Sequence, residues 1–468
     1  MAQQRISGGG LSVQGDATDG LIRSAADRAT RYLRDLPGRR VSPGEADVAQ
    51  LAELGGVLPD EPVSDVETLE LLDRVGSPAT VASAGPRYFG FVTGGTLPVT
   101  VAANVLAAAW DQNAFGPVAS PVGAELERVA LEWLVDVLRL PSGSYGALVT
   151  GTQMANFCGI AAARHAVLAR AGWDVEEKGL AGAPPVRVVA GAEAHATLVR
   201  AVSLAGLGRG NIELVAVDAQ GRMRPDALPR LDERTILCIQ AGNVNSGAFD
   251  PAGELCAAAR EAGAWVHVDG AFGLWARAAP GREHLAAGVE QADSWAVDAH
   301  KWLNTPYDTG VVLVRRPEDL AAAMSLAAAY IPPSGRAAID YSPEASRRAR
   351  GIGVWAALRS LGRSGVADLV ERCCALATRF EARLREGGCE VLNDVVLNQV
   401  VVAFGDDDTT RKVIQAVQDD GTCWCGGTVW HGRAAMRISV SSWATTAEDV
   451  DRSADAILRV AGRTTKVS

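Results

Sequence analysis

Lys301 sits in Asp298-Ala299-His300-Lys301-Trp302, directly after the apolar run Ser294-Trp295-Ala296-Val297. Thirty-two residues upstream, a second apolar run, Trp265-Val266-His267-Val268, ends on Asp269 and continues as Gly270-Ala271. An amine at the end of one strand-like run and a carboxylate at the end of another are chemically complementary. The amine can capture an aldehyde as a Schiff base. The carboxylate can keep a pyridine nitrogen protonated, so that the ring accepts electrons. Pyridoxal phosphate (PLP) chemistry needs both. Alone, a lysine is usually a solvated surface charge, and an aspartate after a strand is usually a turn or cap residue. The pairing of the two in apolar contexts carries the reading.

The elements that must position this pair alternate along the chain. Gly146 to Thr150, Val186 to Ala190, Ile212 to Val217, Thr235 to Gln240, Ala264 to Val268, Ser294 to Asp298 and Val311 to Arg315 read as short strands. Helix-like stretches separate most of them, which predicts a mainly parallel sheet covered on both faces. In such sheets ligands bind beyond the carboxyl ends of the strands, where Asp269 and Lys301 fall. Gly151-Thr152-Gln153 follows a strand and opens a helix, a place where small residues and free amides suit a phosphate. An ordinary turn capped by Thr152 is the alternative. Asp298 and His300 flank the lysine and can face the same phosphate, although a carboxylate there is unfavourable.

Before the sheet, Leu21 to Leu36 and Glu67 to Val75 show helical spacing, separated by the Pro/Gly/Asp-bearing stretch Pro37 to Asp65. They are too few and too short for a core of their own and are expected to pack on a partner subunit. After it, Arg350 to Leu361, Val366 to Arg385, Thr410 to Gln418 and Thr446 to Val460 read as helices. Gln399 to Phe404 and the surroundings of Thr428 and Met436 read as strands. The division is therefore an N-terminal segment, 1–95, a large α/β domain, 96–345, and a small α+β domain, 346–468. Pro332 to Ser342 links the last two.

Three motifs together resemble the group II PLP-dependent amino-acid decarboxylases, the family of the aromatic-L-amino-acid, glutamate and histidine decarboxylases. They are His195-Ala196-Thr197, His267-Val268-Asp269-Gly270-Ala271 and Asp298-Ala299-His300-Lys301-Trp302. The resemblance runs from about Tyr88 to the last helix. It implies fold type I, with a large domain built on a mainly parallel seven-stranded sheet, and a homodimer with shared sites. It implies that Lys301 holds PLP, that Asp269 meets the pyridine nitrogen, that Ala271 lies beside it, and that His195 stacks on the ring. Relatives usually have threonines where this chain has Asn243-Val244-Asn245, so either Asn243 or Asn245 takes the contact near the cofactor's 3′-oxygen. Tyr330, twenty-nine residues after Lys301 and just before Ile331-Pro332-Pro333-Ser334-Gly335, matches a family tyrosine on a mobile loop that returns a proton after carbon dioxide leaves. Tyr88-Phe89-Gly90-Phe91 and Trp110 to Phe115 resemble segments lining the side-chain pocket, with ordinary core aromatics as the alternative. Arg437 either pairs with a carboxylate or braces the domain junction.

Composition limits the remaining classes. The chain has 468 residues, 48% hydrophobic and 21% charged, with a net charge of −10 and a pI near 5.3. No basic block points to nucleic acid or an anionic membrane. No apolar stretch is long enough to span a bilayer, and the polar, glycine-rich start lacks the pattern of a signal peptide. Eight cysteines are too sparse for a disulfide scaffold and read as reduced thiols of a cytoplasmic protein. Cys423-Trp424-Cys425 with His431 matches no zinc spacing. The expected activity is α-decarboxylation of an L-amino acid, aromatic or bulky, to the amine. The alternatives are an aldehyde synthase, an aminotransferase or a carbon–carbon lyase on the same fold, or a non-catalytic protein of that fold.

Overall fold

The structure is a computed structural model that describes residues 15–325 and 337–464. Seven strands form one sheet: β1 (Tyr145–Val149), β2 (Arg187–Gly191), β3 (Ile212–Val215), β4 (Thr235–Gln240), β5 (Trp265–Asp269), β6 (Ser294–Asp298) and β7 (Gly310–Val314). Their order is β1-β7-β6-β5-β4-β2-β3. All seven fall on the runs read from the sequence, although β3 stops two residues before Val217. Neighbours from β3 to β6 pair in parallel, whereas β7 runs antiparallel to both β6 and β1. Chain length forces that reversal. Only residues 299–309 connect β6 to β7, without a helix, and a parallel return needs a crossover of about a dozen residues or more.

Strands β1, β5, β6 and β7 are buried along their whole length. Helix Thr152–Arg170 packs on one face, against Ala147, Ile236, Ala296 and Val312. Helices Pro121–Val137, Ala252–Ala262 and Gly351–Glu386 cover the other, around Leu148, Leu237, Trp295 and Leu313. Apolar residues therefore face both sides of these strands rather than alternating with exposed polar ones, as expected for a sheet covered on both sides; His267, Asp269, Ser294 and Asp298 are buried polar exceptions.

A second, antiparallel sheet holds β8 (Glu390–Val391), β9 (Gln399–Ala403), β10 (Gly426–Trp430) and β11 (Arg433–Ser439), in the order β10-β11-β9-β8. The two helices expected between Arg350 and Arg385 follow one another within Gly351–Glu386, broken at Gly362, which lies between the two expected ranges. That residue has φ 60° and ψ −177°, a conformation essentially confined to glycine. Residues Tyr88 and Phe89 reach across to this sheet: Phe89 N donates to Trp424 O, and Ser439 N donates to Phe89 O.

Helices Gly15–Asp35 and Asp65–Leu71 lie where helical spacing predicts, and a further short helix, Glu45–Gln50, interrupts the stretch between them. Helix Pro98–Trp110 has no charged side chain and so shows no polar face in its sequence. Its Val105, Leu106 and Trp110 are exposed. Among the described residues no helix is long and apolar enough to cross a membrane.

Candidate active site

Strand β4 ends on Gln240, β5 on Asp269 and β6 on Asp298, so three polar side chains meet along one edge of the sheet. Beyond that edge lies a cleft lined by His195, Gln240, Gly242, Asp269, Ala271 and Lys301, with Val244 and Phe272. Asp269 is 4% exposed; its Oδ2 accepts from Asn156 Nδ2 at 3.1 Å and its Oδ1 from Ala271 N at 3.3 Å. Lys301, His195, Asp269 and Ala271 are thus brought together as the sequence expects.

His195 serves two purposes. It caps helix Ala196–Leu204, with its Nδ1 accepting from Thr197 N at 3.3 Å and lying 2.7 Å from Thr197 Oγ1. Its ring also borders the cleft. Burial depresses its pKa, against the pull of Asp269 and with the help of Lys301 and Arg437. A neutral imidazole is therefore available to lie against an aromatic ring.

The lysine side of the cleft carries an internal anion. Asp298 Oδ2 pairs with Lys301 Nζ at 3.0 Å, while Asp298 Oδ1 accepts from Thr152 N at 2.6 Å. Burial pushes the Asp298 pKa up, but Lys301, His300 and the Thr152 amide outweigh it, so the net direction is down. The helix start at Gly151-Thr152-Gln153 therefore already faces a carboxylate, as its dipole favours. This changes the expectation for Asp298, which holds the lysine and the helix amide together. Thr152 Oγ1 is buried with no hydrogen-bond partner among the described residues and is the polar atom left for a phosphate. His300 is fixed by accepting from Thr309 N at 3.1 Å, and its ring lies 4.4 Å from that of Tyr307. Lys301, Asp269, the open hydroxyl of Thr152 and the neutral ring of His195 are a donor set that fits PLP.

Neither candidate for the contact near the cofactor's 3′-oxygen lines the cleft, although Asn243 Nδ2 is buried with no partner among the described residues. Asn243 Oδ1 turns back on its own loop, accepting from Asn245 N at 2.8 Å and Ser246 N at 3.2 Å. Asn245 Oδ1 accepts from Thr428 Oγ1 at 2.8 Å, which ties the loop to β10. Short amide side chains of this kind readily bond to their own turn. The cleft at this strand end is lined instead by Gln240, Gly242 and Val244. Tyr330 lies outside the described residues.

Arg437 on β11 is half-buried, and no carboxylate of the described residues lies in salt-bridge range of it. Burial lowers its pKa. Tyr88 stacks on Trp424 at 5.1 Å, and Phe91, 65% exposed, also packs on Trp424 at 5.3 Å. Burial, then Tyr307, raises the Tyr88 pKa to about 12. Tyr307, which influences Tyr88, packs on His300, the residue before Lys301. Trp110 instead lies exposed on helix Pro98–Trp110. Cys423 Sγ bonds to Ser453 O and His431 Nε2 to Ala219 O, so those residues serve local packing.

Asn304 escaped the sequence reading. It is fully buried: Oδ1 accepts from Gly95 N and Trp443 N at 2.9 Å each, and Nδ2 donates to Trp302 O and Ser441 O at 3.0 Å each. One side chain thus joins the lysine turn to the N-terminal segment and the small domain. Gly94 closes over the same turn, where a side-chain methyl would overlap Lys301 O.

A family model described as the pyridoxal-dependent decarboxylase conserved domain matches residues 64–404. Tryptophan decarboxylase 1 of Oryza sativa subsp. japonica is 29% identical over 420 residues, 81% of this chain and 80% of that protein. Phenylacetaldehyde synthase of Petunia hybrida is 26% identical over 437 residues, 84% of this chain and 85% of its own length. The crystal structure of Oryza sativa TDC with PLP and tryptamine superposes with a TM-score of 0.89, covering 97% of this chain and 99% of that one at 24% identity, a likeness of fold.

Proposed function

The chain belongs to the pyridoxal-dependent decarboxylase family, and on that premise we propose that it removes the α-carboxylate of an aromatic L-amino acid to give the amine and carbon dioxide. The opposition of the Lys301 amine and the Asp269 carboxylate across one cleft, with His195 beside both, carries the reading. Similarity to tryptophan decarboxylase 1 and phenylacetaldehyde synthase supports an aromatic side chain. So does the group of Tyr88, Phe91, Trp424 and Tyr307 near the lysine turn.

Bound PLP supplies an electron sink for the α-carbon as carbon dioxide leaves. The chain's own groups do the rest. Lys301 Nζ would hold the cofactor, and its amine is placed to carry protons at the same cleft. Asp269 would keep a bound pyridine nitrogen protonated, and the neutral His195 imidazole would offer a face to its ring. The Thr152 hydroxyl, left unpartnered among the described residues while the Thr152 amide is held by Asp298, would take the phosphate. Arg437, which lacks a carboxylate partner among the described residues, meets the substrate carboxylate. Tyr330 returns a proton to the α-carbon, an assignment that rests on its sequence position alone.

The test is a screen of the purified protein, loaded with PLP, against the twenty amino acids. Carbon dioxide and an equal amount of amine are expected from an aromatic substrate; no carbon dioxide from any would sink the proposal. The same assay decides between amine and aldehyde, a choice raised by the aldehyde-synthase relative. In Tyr330→Phe, slower proton return lets oxygen capture the electrons at the α-carbon. The product should shift toward aldehyde, with ammonia and peroxide. An unchanged amine-to-aldehyde ratio at an unchanged rate would mean that another group donates the proton.

A homodimer is supported by the exposed Val105, Leu106 and Trp110 on a helix without charges, and by exposed Ile22, Leu51 and Leu54 in the N-terminal helical segment. Sedimentation equilibrium should give twice the 48.8 kDa chain mass. A cytoplasmic location is supported by eight unpaired thiols and is tested by cell fractionation.

A further inference from the structure

Behind Asp269, on the side away from the cleft opening, lies a row of polar side chains that the function above does not use. Trp265, His267 and Asp269 occupy alternate positions of β5 and so face the same side of the sheet. That side is covered by helix Thr152–Arg170, whose Asn156 and Gly159 lie three residues apart on one face. Ser294 on β6 is the register partner of His267.

The contacts form a single line. Trp265 Nε1 lies 2.9 Å from Ser294 Oγ, and Ser294 Oγ lies 2.8 Å from His267 Nδ1. His267 Nε2 lies 3.0 Å from Asn156 Oδ1, and Asn156 Nδ2 lies 3.1 Å from Asp269 Oδ2. Ser294, His267 and Asn156 are fully buried. Gly159 makes room for the imidazole: a methyl there would sit 2.5 Å from His267 Cε1.

The chemistry of each group sets the direction of the line. An indole N–H can only donate. At the other end the Asp269 carboxylate can only accept, so Asn156 Nδ2 donates to it and Asn156 Oδ1 is left to accept from His267 Nε2; His267 Nδ1 then takes the one hydrogen that Ser294 Oγ has to give. Burial drives the His267 pKa down to about 3, so at working pH the ring carries a single proton. With Nδ1 accepting, that proton is on Nε2 and is donated to Asn156 Oδ1.

We propose that Trp265, Ser294 and His267 are a one-way hydrogen-bond chain that orients the Asn156 amide, making His267 and Asn156 positioning residues for the carboxylate that meets the cofactor's ring nitrogen. The inference rests on the reading that Asp269 contacts that nitrogen. A flipped Asn156 would set its carbonyl oxygen against the Asp269 carboxylate. The flip would also require His267 to change tautomer and Ser294 to give up its hydrogen bond to Nδ1, so the line disfavours it along its whole length. An apolar set of the same shape would pack as well with no buried polar atoms to satisfy. Trp265 to Asp269 therefore buries a polar row where stability alone asks for none.

The first test is the histidine tautomer in the PLP-loaded protein labelled with ¹⁵N-histidine. The chain has six histidines, and loss of one signal in His267→Gln assigns it. An Nε2-protonated, Nδ1-bare ring is expected; an Nδ1-protonated ring overturns the chain. The second test loads PLP labelled at the ring nitrogen into Asn156→Leu, with Asp269→Asn as the control. In Asn156→Leu the ¹⁵N resonance should move part of the way that it moves in Asp269→Asn. Its kcat should fall about tenfold at little change in KM, as when outer partners of an oriented ligand are removed. A resonance that moves in Asp269→Asn but not in Asn156→Leu overturns the positioning role. A resonance unmoved in Asp269→Asn refutes the reading of Asp269, and with it the role of Asn156 toward the ring, whereas the tautomer still decides the direction of the chain.

Discussion

Lys301→Ala, purified with excess PLP, is expected to contain no protein–cofactor bond that borohydride can trap. Decarboxylation should fall by at least about 10³-fold. The variant loses the covalent anchor and also the amine that carries protons, a role worth about 10²–10⁴-fold alone. The fold should survive, because the Lys301 side chain is only partly buried and its ion-pair partner in the structure is Asp298. Stability should still change in a defined direction. The Asp298 pKa is held down by Lys301 ahead of its other partners, against burial. A depressed carboxylate stabilises the fold above its unfolded pKa, and that contribution is lost as pH falls through the folded value. Without Lys301 the folded pKa rises, so Lys301→Ala should lose Tm near neutral pH and lose less on further acidification. Lys301→Arg separates the two effects: it can keep a cation beside Asp298 but cannot form the linkage. A reducible bond to PLP in either variant would mean that another amine is the anchor.

Asp269→Asn should leave the bond to Lys301 intact while slowing the chemical step about 100-fold. The substitution keeps the shape but removes the charge, and its single amide oxygen can accept from only one of the two donors, Asn156 Nδ2 or Ala271 N. A hydrogen bond to a charged group is worth about 1.5–3 kcal/mol, and each ~1.4 kcal/mol is tenfold in rate. The loss belongs in kcat, because the interaction matters as electrons flow into the ring and not as substrate binds. Rapid-quench measurement of carbon dioxide release in a single turnover reads this directly. A rate within about threefold of the unmodified protein would remove Asp269 from the reaction.

The large sheet was legible because each of its strands is a short β-branched run bounded by breakers, and burial on both faces leaves that signal undiluted. The reversal of β7 was not, since Val311 to Val314 would read the same in either direction. Lys301, Asp269 and His195 were legible because each closes or follows a recognisable run. Asn156 was not: it lies 113 residues from Asp269, in the middle of a helix, where an asparagine has no local reason to be singled out. The bond between Asp298 and Thr152 spans 146 residues and likewise appears only on folding. For Asn243 and Asn245 the sequence does not show that Asn243 Oδ1 bonds its own turn and Asn245 Oδ1 bonds β10, while Asn243 Nδ2 stays buried without a partner among the described residues.

Asn304 has a consequence for how the molecule opens. Its amide shares hydrogen bonds between the lysine turn, Gly95 and the Ser441–Trp443 segment. A fluctuation that peels the small sheet away must break bonds that also hold Trp302, so the two regions tend to open as one cooperative unit. A cofactor bound at Lys301 adds RT ln(1 + [L]/Kd) to the cost of that shared opening. Strands β9 and β11 then gain protection from a molecule held at the large sheet's edge, and amide exchange in the small domain becomes a readout of whether the lysine is loaded.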